Sequence, residues 1–138
     1  MTTHSIDFRI YYEDTDAGGV VYHARYLAFA ERARTEAIRA QGMAAIDLLR
    51  DYGLAFVIRS ASLDYLMPLR LDDVTTVRTR LLEQGAASCR LEQIFFRGAD
   101  VCAQLDVRLA CIRVADARAA RFPPSWRALL LKLADTGQ

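Results

Sequence analysis

Between residues 101 and 111 apolar and polar positions alternate. Val101, Ala103, Leu105, Val107, Leu109 and Cys111 fall on one side, and Gln104, Asp106 and Arg108 on the other. A period of two is that of a β-strand with one packed and one wetter face. Four more stretches rich in β-branched and aromatic residues predict strands over Ser5–Tyr12, Leu54–Tyr65, Val74–Leu82 and Cys89–Phe96. Turn residues at Gln84-Gly85 and Gly98-Ala99-Asp100 separate the later ones, and Pro68 interrupts pairing beyond Tyr65. From Ala24 to Gln41 the chain holds six alanines and neither Gly nor Pro, and Gly42 stands where a helix would stop. That stretch predicts a long helix whose inner face carries Leu27, Ala30, Ala33 or Arg34, Ala37 and Ile38. Arg32 and Glu36 would pair one turn apart on its outer face. A short helix is expected over Ala44–Asp51, ending near Gly53. A last one, capped by Ser125, is expected over Ser125–Leu133 after Phe122-Pro123-Pro124 breaks the sheet.

The order is therefore strand, loop, long helix and four strands joined by short turns. Short turns favour antiparallel hairpins. Runs of strands beside one long helix make an α+β domain, here a five-stranded antiparallel sheet wrapped around that helix and spanning residues 1–138. One helix covers only part of such a sheet, so a second copy of the chain is expected against the remainder, as a homodimer or a higher assembly.

Composition narrows the function. With 53% hydrophobic and 25% charged residues the 138-residue chain is globular, and a formal net charge of +1 gives no pull toward nucleic acid or an anionic membrane. The positive charge is almost all arginine, scattered without a basic patch, so no nucleic-acid partner is expected. Cys89, Cys102 and Cys111 are odd in number, lack CxxC spacing and lie in apolar strands, as buried reduced thiols do. Met1–Asp7 has neither a basic nor an apolar signal region, and no apolar run approaches the ~20 residues of a membrane span. The expected location is the cytoplasm, with no integral membrane segment.

Chemistry concentrates in YYEDTDAGGVVYHARY, Tyr11 to Tyr26. Glu13, Asp14 and Asp16 lie between a strand and a helix, followed by Gly18-Gly19 and Tyr22-His23 at the helix start. A carboxylate beside a helix N-terminus sits next to free N–H groups that can bind a developing oxyanion, and glycines allow close approach. Each part also has a plainer reading: acids before a helix complement its dipole, a glycine pair makes a turn, and a lone histidine packs. No metal is expected. His4 and His23 are the only histidines, no spacing matches a zinc site, and Asp14-Thr15-Asp16 lacks the later carboxylates of a calcium loop.

The same stretch resembles the signature of the 4-hydroxybenzoyl-CoA thioesterase family of hot-dog proteins. Arg9-Ile10, then Thr15-Asp16, Gly19-Val20-Val21, His23 and Tyr26 all stand at the spacing of that signature. The wider run EDTDAGGVVYHARYLAFAERARTE is most similar to the acyl-CoA thioesterases associated with the Tol-Pal envelope system. FVIRSASLDYLMPLRLDD, Phe56–Asp73, resembles the family's second block. The resemblance fades after about Arg113.

It implies a hot-dog fold and a thioesterase acting on acyl-coenzyme A, or on acyl carrier protein thioesters, with no cofactor. It further implies Asp16 as nucleophile or general base, the His23 main-chain N–H as oxyanion donor, and an orienting role for the His23 side chain. Gly18, Gly19, Tyr22 and Arg59 are the expected substrate contacts. The site would lie at the interface of a homodimer that can assemble into a homotetramer. Asp14 and Glu13 do not match the catalytic position and read as loop structure. Ala30 replaces an expected aromatic, which would reshape the acyl pocket.

Three alternatives differ in chemistry. A strand before Asp14-Thr15-Asp16 also resembles the aspartate pair of haloacid-dehalogenase-type phosphatases, but these need Mg²⁺ and a parallel core with crossover helices. A non-catalytic module binding acyl-coenzyme A or acyl carrier protein would not need Asp16, Gly19 and His23 together. A hot-dog dehydratase or hydratase would need a second acid–base set.

Overall fold

The computed structural model describes residues 3–134. Five strands, β1 (His4–Arg9), β2 (Leu54–Tyr65), β3 (Val74–Gln84), β4 (Ser88–Arg97) and β5 (Asp100–Arg113), form one antiparallel sheet in the order β1-β3-β4-β5-β2. Three helices accompany it: α1 (Arg25–Ala40), α2 (Ala45–Tyr52) and α3 (Pro124–Leu131). No helix among the described residues is long and apolar enough to cross a membrane.

The alternation along β5 holds. Ala103, Leu105, Val107, Leu109 and Cys111 are buried, and Gln104 and Arg108 are exposed. With Val77, Leu91 and Phe95 they form the sheet side of the core. Ala30, Ala33 and Ala37 of α1 are fully buried on the same cluster. Their small side chains let the helix backbone lie close to the sheet. Phe29 meets Phe8 of β1 at 5.3 Å between ring centroids, and Tyr26 meets Phe95 of β4 at 5.3 Å. These rings fix α1 across the sheet. Trp126 and Phe122 pack on Phe56 of β2.

Several expectations shift. The inner face of α1 carries Ala30, Ala33, Arg34, Ala37 and Ile38 as expected, but its first turn differs: Tyr26 and Phe29 are buried, whereas Leu27 is exposed. Glu36 pairs with Arg39 at 3.4 Å and not with Arg32. Ser125 caps nothing. Pro124 begins α3, where its fixed φ is already helical and its missing N–H leaves no orphan. The first strand stops at Arg9, because Tyr11 and Tyr12 enter a 3-10 turn whose Asp14 carboxylate accepts the Tyr11 N–H at 2.8 Å.

The largest difference concerns pairing. β3, β4 and β5 are successive hairpins, but β2 does not pair with β3. It lies along β5 at the opposite edge, in the register Leu54↔Arg113 to Tyr65↔Ala103. The chain from 66 to 73 must therefore cross the end of the sheet. Leu66 and Met67 donate to the Cys102 carbonyl, and Arg97 holds the Pro68 carbonyl and the Asp73 carboxylate. A second consequence is that β2, twelve residues long, has one open edge.

Candidate active site

The acidic segment folds as a small hairpin. Asp16 N–H donates to Val20 O at 2.9 Å, Tyr22 N–H to Asp14 O at 2.9 Å, and Thr15 bridges Val21. Gly19 closes the turn through its N–H to Asp16 O at 3.0 Å, with φ at +80°. A left-handed residue at this place lets three residues reverse the chain, and glycine takes it without strain. The crossing segment supplies a third rung: Val21 N–H donates to Leu69 O, Leu71 N–H to Gly19 O, and Val20 bridges Arg70. Leu69 is fully buried and anchors that rung.

The two aspartates differ in surroundings. Asp14 is buried, and its carboxylate accepts from the Tyr11 N–H and from Arg25 Nε and Nη2 at 3.0 and 2.6 Å. Glu13 approaches the same guanidinium at 3.7 Å. This pair ties the loop to the first residue of α1 and is structural, as expected. Asp16 is exposed at the hairpin turn. Its Oδ1 accepts from the Gly18 N–H at 2.9 Å and the Val20 N–H at 3.4 Å, while Oδ2 has no partner among the described residues. Two N–H donors on one oxygen orient the carboxylate and leave the other oxygen free to react.

His23 lies just before α1. Its main-chain N–H donates to no acceptor among the described residues. It lies one residue before the N-cap Ala24, next to the first turn of the helix, where partial positive charge gathers. The His23 and Tyr22 rings meet at 4.3 Å between centroids, tilted by 41°, both exposed. The His23 carbonyl accepts the Tyr65 hydroxyl at 2.8 Å, from the end of β2. Val20, Val21, His23, Tyr26, Tyr65, Leu66, Met67 and Pro68 enclose a cavity of about 240 Å³ here. Burial pushes the Tyr26 phenol above its ordinary value, so it lines this wall as a neutral group.

Asp16, Gly18, Gly19, Tyr22 and His23 thus share one loop, of which His23, with Val20 and Val21, lines the cavity. Arg59 does not join them. It sits at a bulge of β2, between the pairs Ile58↔Leu109 and Ser60↔Arg108, exposed on the open edge. Ala30 is fully buried in the core and lines neither this cavity nor a larger one farther along α1. That larger space, about 600 Å³, lies between α1, α2 and the first half of β2. Tyr65 and the crossing segment are site components that local spacing did not flag, since their partners are distant in the chain. All three cysteines are buried and none lines the cavity, though Cys102 lies behind its wall at Leu66 and Met67; burial raises their thiols, Cys89 to about 12.

Comparison with known proteins identifies the family and the fold. Residues 11–130 match the family model of the thioesterase-like superfamily. The chain is 41% identical over 124 residues to the acyl-CoA thioesterase YbgC of Haemophilus influenzae, covering 90% of this chain and 91% of that protein. A crystal structure of a probable thioesterase from Bartonella henselae superposes with a TM-score of 0.83 at 33% identity, over 88% of this chain and all of that one. The DHNA-CoA thioesterase of Staphylococcus aureus shares the fold, with a TM-score of 0.88 at 20% identity over 94% and 89% of the two chains.

Proposed function

Because the chain belongs to the thioesterase-like superfamily and is a thioester hydrolase, we propose that it cleaves acyl-coenzyme A to free acid and thiol with Asp16 as its catalytic carboxylate. The observation that carries this reading is the loop itself. In one short segment it holds, without partners among the described residues, a carboxylate oxygen on Asp16 and a main-chain N–H on His23 ahead of α1.

The chemistry follows from those groups. The thioester carbonyl oxygen accepts the His23 main-chain N–H, which stabilises the negative charge that develops on attack. Asp16 Oδ2 either takes a proton from the water that adds to the carbonyl carbon, or adds to it directly and is released by water in a second step. In both routes the carbon–sulfur bond breaks and the departing thiolate takes up a proton. Asp14 holds the loop through Arg25 and takes no part.

The open edge of β2 seats a second copy in this reading. A long unpaired edge invites another strand, and a two-fold axis makes that pairing antiparallel. The first half of β2 in one copy, with its 600 Å³ cavity, then lies beside the Tyr65 end of the other. The acyl group held at one Asp16 loop enters the cavity of the neighbouring copy. Arg59, at the bulge on this seam, contacts the coenzyme portion of the substrate. The enzyme acts in the cytoplasm as a single-domain homodimer or homotetramer. Resemblance of Glu13–Glu36 to the Tol-Pal-associated enzymes, and acyl carrier protein as a second thioester carrier, belong to the same reading.

A hydrolysis screen over short, long, branched and aromatic acyl-coenzyme A and acyl carrier protein thioesters tests it, with thiol release as readout and a chelator-treated arm. Turnover of at least one thioester, unaffected by chelation, is expected. Tight binding of these thioesters with no thiol release would make the protein a binding module instead. Sedimentation of a fully active monomer at micromolar concentration would remove the shared site.

A further inference from the structure

Arg34 is the one charged residue on the inner face of α1, and only 8% of it is exposed. Its Nη1 donates to Gln93 Oε1 at 3.0 Å, and Gln93 in turn donates to the Ala30 carbonyl and the Thr79 hydroxyl. This ties the helix to the sheet but uses one guanidinium N–H of five. The others meet no acceptor among the described residues and are open to solvent at the cavity, and no carboxylate lies within ion-pair distance. Buried charges are ordinarily paired. Burial pulls the Arg34 guanidinium below its ordinary value, and Glu31 at the rim only partly opposes this.

The same residue lines the 600 Å³ cavity. Ile38, Ile46, Leu49, Leu54, Phe56 and Ile58 make most of its other walls apolar, with Glu31 and Thr35 the remaining polar side chains of the lining. A hydrocarbon chain suits those walls, but alone it would leave the guanidinium donors unmet. An oxygen on the chain would satisfy them.

We propose that Arg34 is a specificity-determining residue that selects acyl groups carrying a hydroxyl or carboxylate oxygen near the end remote from the thioester. The assignment rests on the thioesterase reading and on this cavity being the acyl site. A guanidinium hydrogen bond formed away from water discriminates strongly against an analogue that lacks the acceptor.

The test uses matched triplets: hexanoyl-, 6-hydroxyhexanoyl- and adipoyl-coenzyme A, and the eight-carbon series. At least one oxygenated member should exceed its alkyl counterpart in kcat/KM by roughly tenfold or more. Preference for the hydroxyl or for the carboxylate identifies which oxygen is taken. In Arg34→Met that ratio should fall to near one, and Arg34→Lys should restore part of it for the carboxylate. If the Met variant does not fold, the wild-type triplets decide alone. Wild-type enzyme that turns over alkyl and oxygenated chains equally, or an Arg34→Met enzyme that keeps the ratio, would overturn the assignment and leave thioester hydrolysis intact. Failure to hydrolyse any thioester would instead count against the thioesterase reading.

Discussion

The Tyr65 hydroxyl donates to the main-chain carbonyl of His23 at 2.8 Å, linking the end of the edge strand to the start of α1. That carbonyl shares a peptide plane with the Ala24 N–H, so the bond orients the donors that open the helix. The Tyr65 ring also meets the Tyr26 ring edge-on at 5.1 Å, a contact that phenylalanine can keep. Tyr65→Phe should therefore lower kcat by roughly two- to tenfold, the scale of one net hydrogen bond, with little change in KM. A shift in melting temperature with kcat unchanged would reduce Tyr65 to packing.

Asp16 and Asp14 are two residues apart and should respond oppositely. Asp16→Asn keeps the shape of the turn but removes the negative charge. Its turnover should fall by about 100-fold or more, the scale of a lost general base, with the fold intact. Asp14→Asn breaks the buried pair with Arg25 and should cost about 2–3 kcal/mol of stability while sparing most of the rate of the folded enzyme. Denaturant melts paired with single-substrate kinetics separate the two. Near wild-type hydrolysis by pure Asp16→Asn would remove the carboxylate mechanism.

The thiols should be silent in the native state. Burial of Cys89, Cys102 and Cys111 raises each above its ordinary value, so thiolate is scarce at neutral pH. A disulfide exchange reagent should titrate them slowly in the folded protein and all three at once after denaturation. The triple alanine variant should lose stability through lost volume, yet hydrolyse thioesters. A folded but inactive triple variant would call for a thiol mechanism.

On the outer face of the sheet, Arg90 holds Asp106 in a fork, with Nε and Nη2 at 3.0 and 2.7 Å from Oδ2. These hydrogen bonds keep the Asp106 carboxyl below its ordinary value. A folded-state value below the unfolded one stabilises the protein fully above the unfolded value near 3.8, and the gain is lost as pH falls through the folded value. Asp106→Asn should thus melt lower than wild type at neutral pH, with the gap closing below about pH 4. Melting temperatures from pH 2 to 7 check this. A gap that stays constant across the range would mean the ion pair is not its source.

Period-two alternation in one stretch, β-branched and aromatic enrichment in four, and the turn residues between them were enough to locate all five strands, and the bounds of Leu54–Tyr65 were read as they stand. Their lateral order was not legible. Short links suggest hairpins, and only long-range packing carries β2 to the far side of β5. The inner face of α1 was legible from Ala30 to Ile38 but not in its first turn, where Tyr26 and Phe29, not Leu27, are buried, because those rings contact strands far away in sequence. Asp16, the glycines and His23 were legible since they share one short segment. Tyr65, Leu69 and Arg34 act through partners tens of residues distant, and nothing in local spacing announces that.

The sheet order also bears on how the chain reaches its native state. The two strands that come first, β1 and β2, are the two outer edges, and each rests on a strand made later: β1 on β3, β2 on β5. Neither has a docking surface until the β3-β4-β5 meander exists. Those hairpins join near neighbours and close with little loop entropy, so they form the nucleus. During synthesis the first half of the chain, including the Asp16 loop and α1, must wait without its sheet. Substitutions in β4 should therefore slow refolding, whereas substitutions in β1 should mainly speed unfolding.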